Sequence, residues 1–208
     1  REPGQDDRTG CWSASATDPD GNGFGISSFV EALQEKLLGE LYRLGNVEAK
    51  SDVDRALRAV PRHIFLPNHT LEEVYENRAI MTKKEGEATS SCSQPSVVAV
   101  MLNQASLRAG DNVLEIGAGT GWNSALMGHI IGPQGFVTTI DIDADTAEFA
   151  RSNLTQAGAT NVEVICGDGG LGFESRAPYD VIIVTAEMPD LSPHLLRQLR
   201  VVGRIHDA

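Results

Sequence analysis

The spacing of apolar residues predicts helices in the first part of the chain. Apolar side chains recur at helical intervals from Ser28 to Gly45, and Ser28 with Glu31 matches the capping box that begins many helices. A second, short helix is expected from Ser51 to just before Pro61, because the residue preceding a proline avoids the helical conformation. After that proline the pattern is irregular and predicts loops.

Beyond Ser93, short apolar runs alternate with helical patterns. Strands are predicted at 113–116, 136–140, 162–166 and 179–184, with a further strand starting at Gly203, and helices are predicted after Ser93 and at 122–131, 145–157 and 193–199. Strands that alternate with helices of this length form right-handed βαβ units around a parallel sheet. The predicted fold class is therefore α/β, a doubly wound, Rossmann-like parallel sheet with an N-terminal helical annex.

These patterns divide the chain into three segments. Residues 1–25 are rich in Gly, Asp, Ser and Thr and lack apolar periodicity, which predicts a disordered tail. Residues 26–92 are expected to form the helical annex and a substrate loop. Residues 93–208 are expected to form the ligand-binding α/β domain, with its C-terminal strands incomplete.

The charge balance narrows the range of partners. The 208 residues include 17 basic and 29 acidic side chains, a formal net charge of −12, whereas polyanion binding requires clustered basic side chains. We therefore expect no nucleic-acid partner. No membrane partner is expected either, since the central apolar run Val97 to Leu102 is far shorter than the roughly 20 residues of a span. The widely spaced Cys11, Cys92 and Cys166 favour a reducing cytoplasm and do not match a metal site.

A glycine-rich turn, Gly117-Ala118-Gly119-Thr120-Gly121, joins the strand at 113–116 to its helix. Open parallel sheets bind ligands at such a place, beyond the carboxyl ends of their strands. Trp122 interrupts the G-x-G-x-x-G spacing of a dinucleotide fingerprint, and the turn lacks the Gly-Lys-Ser/Thr of a phosphate loop. A nucleoside cofactor without phosphates fits this turn better.

Two acidic residues strengthen the prediction of a nucleoside site. Asp141 follows the second strand of the α/β domain, where a carboxylate can accept both ribose hydroxyls, and Asp168 follows the third, where it can take an adenine amino group. Each alone could be a turn acid or a helix cap. Their joint spacing with the turn predicts S-adenosylmethionine, with S-adenosylhomocysteine as product. The predicted cofactor residues are Glu115, Gly117, Ala118, Gly119, Thr120, Gly121, Asn123, Asp141, Ile142, Gly167, Asp168 and Gly169.

Several further segments carry a more specific signal than the glycine turn. They are Val60-Pro61-Arg62-His63-Ile64-Phe65-Leu66-Pro67, Tyr75-Glu76-Asn77-Arg78, Ser93-Gln94-Pro95 and residues 113–117, 161–169 and 178–186. Through them, residues 28 to 205 resemble the protein-L-isoaspartate O-methyltransferase family. The resemblance implies a class I methyltransferase fold and carboxyl O-methylation of L-isoaspartyl or aspartyl residues in proteins or peptides. In that family the methyl ester then collapses to a succinimide.

Carboxylate chemistry suggests where the methyl acceptor lies. A carboxylate is already ionised at pH 7, so its methylation needs no general base, only a donor to hold its second oxygen and exclusion of water. Ser93 is the candidate catalytic donor, although its place before Pro95 also suits a helix cap. The candidate substrate-binding residues are Ser91, Cys92, Thr185 and Ala186.

Departures from the family keep other functions open. The family's glycine-rich loop before Ser93 is replaced by Gly86-Glu87-Ala88-Thr89-Ser90-Ser91-Cys92. Variant loops of this kind resemble family members that methylate one aspartate of a ribosomal precursor peptide. A small-molecule hydroxyl methyltransferase would instead need a base near Ser93 or Glu187. A third alternative is a protein that binds the cofactor and transfers nothing.

Overall fold

The computed structural model describes residues 16–17, 23–24, 26–85, 88–188 and 190–207. Two short strands, Ala16–Thr17 (β1) and Gly23–Phe24 (β2), pair in antiparallel fashion. The rest of the predicted disordered tail over 1–25 lies outside the described residues. Within the described ranges, no helix combines the length and apolar character needed to cross a membrane.

The annex contains the two predicted helices and two additional short ones. Its elements are α1 (Ile26–Arg43), α2 (Asp52–Ala59), a 3-10 helix (Arg62–Phe65) and α3 (Leu71–Val74). Helix α1 begins two residues before the predicted Ser28, and the Ser27 hydroxyl donates to Glu31 at 3.2 Å. Ser51 caps α2 as expected by accepting from the Asp54 backbone N–H at 3.1 Å.

A β-hairpin occupies part of the segment that the sequence pattern predicts as loops. Strands β3 (Ile80–Glu85) and β4 (Ala88–Cys92) pair in antiparallel fashion, so the loop prediction is wrong here. The hairpin is anchored at one end, where Ile80 pairs with Cys92 and both are buried. Met81 beside them is exposed. Thr82, Lys83, Ser90 and Ser91 are polar, so the hairpin lacks the apolar–polar alternation that identifies a strand in a sequence.

The α/β domain is built as predicted around five parallel strands. They are β5 (Asn112–Ile116), β6 (Phe136–Asp141), β7 (Val162–Cys166), β8 (Tyr179–Val184) and β9 (Leu199–Asp207), in the order β7-β6-β5-β8-β9. The helices are α4 (Pro95–Ala105), α5 (Trp122–Ile131), α6 (Ala144–Gln156) and α7 (Pro193–Gln198). Strand β9 begins four residues before the predicted Gly203, because Leu199 already pairs with Tyr179 before the register shifts.

The register of the sheet brings four connections to one edge. Ile116 pairs with Ile140 on one side and with Val184 on the other, and Asp141 pairs with Cys166. The turns that follow β5, β6, β7 and β8 therefore leave the sheet at the same level, which is where open parallel sheets bind ligands.

Asp54 of α2 is the centre of a buried polar network in the annex. The carboxylate is 4% exposed and accepts from the Tyr42 hydroxyl at 2.5 Å, the Lys50 backbone N–H at 2.7 Å and Arg58 Nε at 3.0 Å. Burial by itself raises the pKa of Asp54, but these three donors and the Arg58 charge outweigh it and lower the pKa below its ordinary value.

We expect the stability of the protein to fall at low pH through this carboxylate. A lowered folded-state pKa contributes stability that is present above the unfolded value, about 3.9, and is lost as the pH drops through the folded value. Asp54→Asn should reduce the free energy of unfolding at pH 7 by about 2 kcal/mol and flatten its decline below pH 4, measured by denaturant titration. Asp52→Asn, on the same helix with a side chain 64% exposed, is the control. Equal acid sensitivity in the wild type and Asp54→Asn would contradict this account.

Candidate active site

A cavity of about 780 Å³ opens at the carboxyl edge of the sheet. Its floor is the glycine turn with the ends of β5 and β6, and its sides are the segments after β7 and β8 and the β3–β4 hairpin with Ser93. This volume lies within the range of roughly 300–1,000 Å³ that is common for small-molecule sites. The cavity thus lies between the annex and the α/β domain.

The glycine turn is shaped by its close approach to the end of β8. Gly117 has a φ of +102°, and a Cβ there would lie 2.8 Å from Thr185 Oγ1 and 3.1 Å from the Ala186 nitrogen. The backbone of Thr185 and of Ala186 in turn donates to the Ile116 carbonyl, at 2.8 and 3.2 Å. Only glycine fits both this conformation and this space.

Glu115 lies beneath the turn with no exposure to solvent. Its carboxylate accepts from Asn123 Nδ2 at 2.7 Å, from Thr139 Oγ1 at 2.6 Å and from the Ser124 hydroxyl. Burial raises the pKa of Glu115 above its ordinary value, while the three donors act in the opposite direction. The other amide atom, Asn123 Oδ1, is buried without a partner among the described residues. Since Asn123 lines the cavity, this atom can accept a hydrogen bond from a ligand.

Two predicted cofactor acids lie where their strands end. Asp141 accepts from the backbone N–H groups of Gly119 and Asp143, both at 3.1 Å. The exposed Asp168 accepts from the Gly170 N–H at 2.8 Å. Each carboxylate therefore orders a turn, as expected for the turn-acid alternative. Each also keeps further lone pairs that can accept hydrogen bonds from a ligand in the cavity.

Ser93 lines the cavity from the annex side and does not cap α4. The residue at the cap position is Gln94, and it makes no side-chain capping bond. The cap interpretation of Ser93 is therefore wrong, because Pro95 occupies the first helical position and the helix begins one residue later than that interpretation requires. Nothing among the described residues hydrogen-bonds to the Ser93 hydroxyl, while its carbonyl accepts from Arg62 at 3.0 Å.

The other predicted acceptor residues also line the cavity, with different chemical capacities. Ser91 and the buried Cys92 come from the end of β4. The Thr185 hydroxyl lies 2.9 Å from the carbonyls of both Ile116 and Gly117, so its proton is used within the turn. Ala186 beside it contributes shape alone. Contact of these residues with a substrate stays a prediction.

Most of the predicted cofactor residues line the cavity, but Gly121 and Gly167 do not. Gly121 instead starts α5 with a φ of +86°. Sequence reasoning missed Lys83, whose Nζ lies 2.9 Å from both carboxylate oxygens of Asp143 and joins the hairpin to the end of β6. This contact, together with hydrogen bonds from Thr146, lowers the pKa of Asp143 to about 2. No sequence signal identifies Lys83.

Comparisons with known proteins agree on one family. A family model described as protein-L-isoaspartate(D-aspartate) O-methyltransferase matches residues 32–206. A protein-L-isoaspartate O-methyltransferase of Ignicoccus hospitalis is 38% identical over 174 residues, covering 84% of this chain and 80% of the relative. Protein-L-isoaspartate O-methyltransferase 2 of Archaeoglobus fulgidus is 42% identical over 176 residues, with coverages of 84% and 75%.

Solved structures agree with this fold. A protein-L-isoaspartate O-methyltransferase that is 34% identical superposes with a TM-score of 0.76 over 83% of this chain, which spans about half, 54%, of that protein. A Plasmodium falciparum structure in complex with S-adenosyl-L-homocysteine has a TM-score of 0.69 at 20% identity, with coverages of 83% and 82%. At that identity it supports the fold alone.

Two glycines beside Asp168 provide a matched test of the site's packing. A Cβ on Gly169 would overlap Ile116 Cγ2, whereas a Cβ on Gly167 would have nothing within 4 Å. We expect Gly169→Ala to destabilise the protein by about 1–3 kcal/mol through overpacking. Gly167→Ala should stay within about 0.5 kcal/mol of the wild type. Thermal or denaturant unfolding of both variants measures this, and equal stabilities would show that the segment after β7 does not pack on Ile116 as described.

Proposed function

Because the chain belongs to the protein-L-isoaspartate(D-aspartate) O-methyltransferase family, we infer that it is an S-adenosylmethionine-dependent carboxyl O-methyltransferase for L-isoaspartyl residues of proteins or peptides. The observation that carries this function is a single cavity in which a nucleoside-type set of residues at the sheet edge lies opposite the Ser93 hydroxyl, which has no partner among the described residues.

The residues of the sheet edge fit the cofactor. Gly117 and Gly119 contribute backbone to the cavity lining, and Asn123 Oδ1 lacks a partner among the described residues that a bound donor would supply. We assign Asp141 to the ribose hydroxyls and Asp168 to the adenine amino group. When bound, S-adenosylmethionine supplies an electrophilic methyl group on a positively charged sulfur.

The charge of the lining supports this assignment. The cavity is lined by Glu115, Asp141, Asp143, Asp168, Glu187 and Asp190, and by Lys83 as a basic residue. An acidic lining of this kind stabilises a cationic ligand more than an anionic one. The lysine is engaged by Asp143, so an anionic acceptor is better held by neutral donors such as Ser93.

The protein's contribution to the chemistry is positioning. The acceptor carboxylate is ionised near pH 7 and needs no proton removed, so the Ser93 hydroxyl only has to donate to the oxygen that does not react. The hairpin and the segment after β8 line the cavity, and a peptide bound between them would displace water, which strengthens electrostatic interactions inside it. The methyl ester that forms is the species which, in this family's chemistry, later cyclises to a succinimide.

Repair of isoaspartate is the role that we propose over tailoring of a precursor peptide. The relatives at 38% and 42% identity are both named protein-L-isoaspartate O-methyltransferases. We place the protein in the cytoplasm, because the two described cysteines, Cys92 and Cys166, are free thiols and one of them is exposed.

A paired-peptide assay tests the proposed function. Two peptides of one sequence, with isoaspartate or aspartate at the same position, are incubated with methyl-labelled S-adenosylmethionine, and base-released methanol is counted. A peptide with asparagine at that position controls for transfer elsewhere. We expect methylation of the isoaspartyl peptide with a kcat/KM about 100-fold or more above that of the aspartyl peptide. A preference for aspartate would support the tailoring function, and no transfer despite cofactor binding would overturn both.

Removing the Asp141 carboxylate should selectively weaken cofactor binding. Charge-assisted hydrogen bonds contribute about 1.5–3 kcal/mol each, so the loss of two to the ribose corresponds to at least roughly 100-fold. We expect Asp141→Ala to raise the dissociation constant of S-adenosylhomocysteine by that factor, measured by titration calorimetry. Asp145→Ala is the control, because it removes an equal charge from a side chain that is 90% exposed and outside the cavity lining. Unchanged affinity of Asp141→Ala would refute the ribose assignment.

A further inference from the structure

Arg62 is a buried arginine behind the acceptor side of the cavity. The residue is 1% exposed, and its two terminal nitrogens donate to four backbone carbonyls. Nη1 reaches Val74 at 2.6 Å and Glu76 at 3.1 Å. Nη2 reaches Arg78 at 3.1 Å and Ser93 at 3.0 Å. Among the described residues no carboxylate pairs with this guanidinium.

A buried charge without a counter-ion is costly, so its contacts indicate what it does. Of its four acceptors, Ser93 is the residue that lines the cavity. The Arg62 guanidinium also lies over Trp122, with its Cζ 5.0 Å from the ring centroid, and Trp122 lines the cavity as the first residue of α5. The same group therefore contacts both sides of the active site without reaching the cavity itself.

We propose that Arg62 is a positioning residue for the methyl acceptor that acts through Ser93. The proposal rests on the proposed function, in which the Ser93 hydroxyl holds the acceptor carboxylate. By holding the Ser93 carbonyl, Arg62 fixes the backbone from which the Ser93 side chain projects. The hydroxyl itself has no hydrogen-bond partner among the described residues, so its position depends on that backbone. A hydroxyl held by a rigid backbone loses less entropy when it binds an anion.

The planar fork of the guanidinium is what this role requires. Its nitrogens reach carbonyls from two separate segments, residues 74–78 and Ser93, at the same time. A lysine ammonium carries the same charge as a single point and cannot reproduce that spread of donors. Arg62→Lys thus keeps the charge and removes the clamp on Ser93.

The first experiment separates positioning from general stability. We expect Arg62→Lys to raise KM for an isoaspartyl peptide by about tenfold, while the dissociation constant of S-adenosylhomocysteine changes less than about threefold. The matched control is Arg58→Lys, since Arg58 also joins helices of the annex, α2 to α1 through Glu35 and Tyr42, but contacts none of the cavity-lining residues. If Arg62 only held the annex together, both variants would lose thermal stability with KM unchanged, which would overturn the proposal.

A double-mutant cycle tests whether Arg62 acts through Ser93. We expect Ser93→Ala alone to raise KM for the isoaspartyl peptide, and the double variant Arg62→Lys/Ser93→Ala to show nearly the same KM as Ser93→Ala. If KM of the double variant instead rises by the product of the two single increases, Arg62 does not act through Ser93 and the proposal is overturned. The proposed role of Ser93 in binding the acceptor would stand in that case. No effect of Ser93→Ala on KM would instead contradict the proposed role of Ser93 in binding the acceptor.

A measurement on the unmodified protein covers the case in which Arg62→Lys does not fold. Nitrogen NMR of the arginine side chains should show slow rotation of the Arg62 guanidinium. Its Nη signals should shift when an isoaspartyl peptide is added to the protein saturated with S-adenosylhomocysteine. The Arg58 signals serve as the internal reference and should not shift. Binding of the peptide without any change at Arg62 would refute the coupling.

Discussion

The buried carboxylate of Glu115 is the interaction on which the arrangement of the active site depends. An unpaired carboxylate would be strongly disfavoured without water, so the fold must bring donors to it. They come from β6, through Thr139, and from the first turn of α5, through Asn123 and Ser124. One residue of β5 thereby sets the distance between its own strand, the neighbouring strand and the helix that follows. The glycine turn is held in between, and its conformation follows from these contacts together with the close approach of β8.

The side of the cavity that we propose for the methyl acceptor is built by a different means. The described strands of the annex lie outside the large sheet, and the annex approaches the cavity through the β3–β4 hairpin, directly before Ser93. Two basic residues make the connection. Lys83 joins the hairpin to Asp143, which follows β6. Arg62 of the annex donates a hydrogen bond to the Ser93 carbonyl. Charged donors suit this task because their hydrogen bonds are stronger than those between neutral groups.

The two sides differ in electrostatic character as a consequence. The sheet edge contributes acids whose backbone contacts already order the turns, and such an edge favours a ligand that carries positive charge. The opposite side contributes the neutral Ser93 hydroxyl, with the buried Arg62 guanidinium behind it, which is compatible with an anion. A carboxyl methyltransferase needs both properties within one cavity, because its methyl donor is a cation and its methyl acceptor is an anion.

The order of residues alone predicts the α/β domain and the position of its ligand edge. The strand at 179–184, for example, contains an apolar run that is buried in the sheet, and the residue after a parallel strand must lie at the carboxyl edge. Other features became visible only in the folded protein. They are the hairpin at 80–92, the position of Ser93 outside the cap of α4 and the contacts of Lys83 and Arg62. These features rest on hydrogen bonds between residues far apart in the chain, or on strands whose residues are mostly polar. Neither produces a periodic pattern of apolar residues in the sequence.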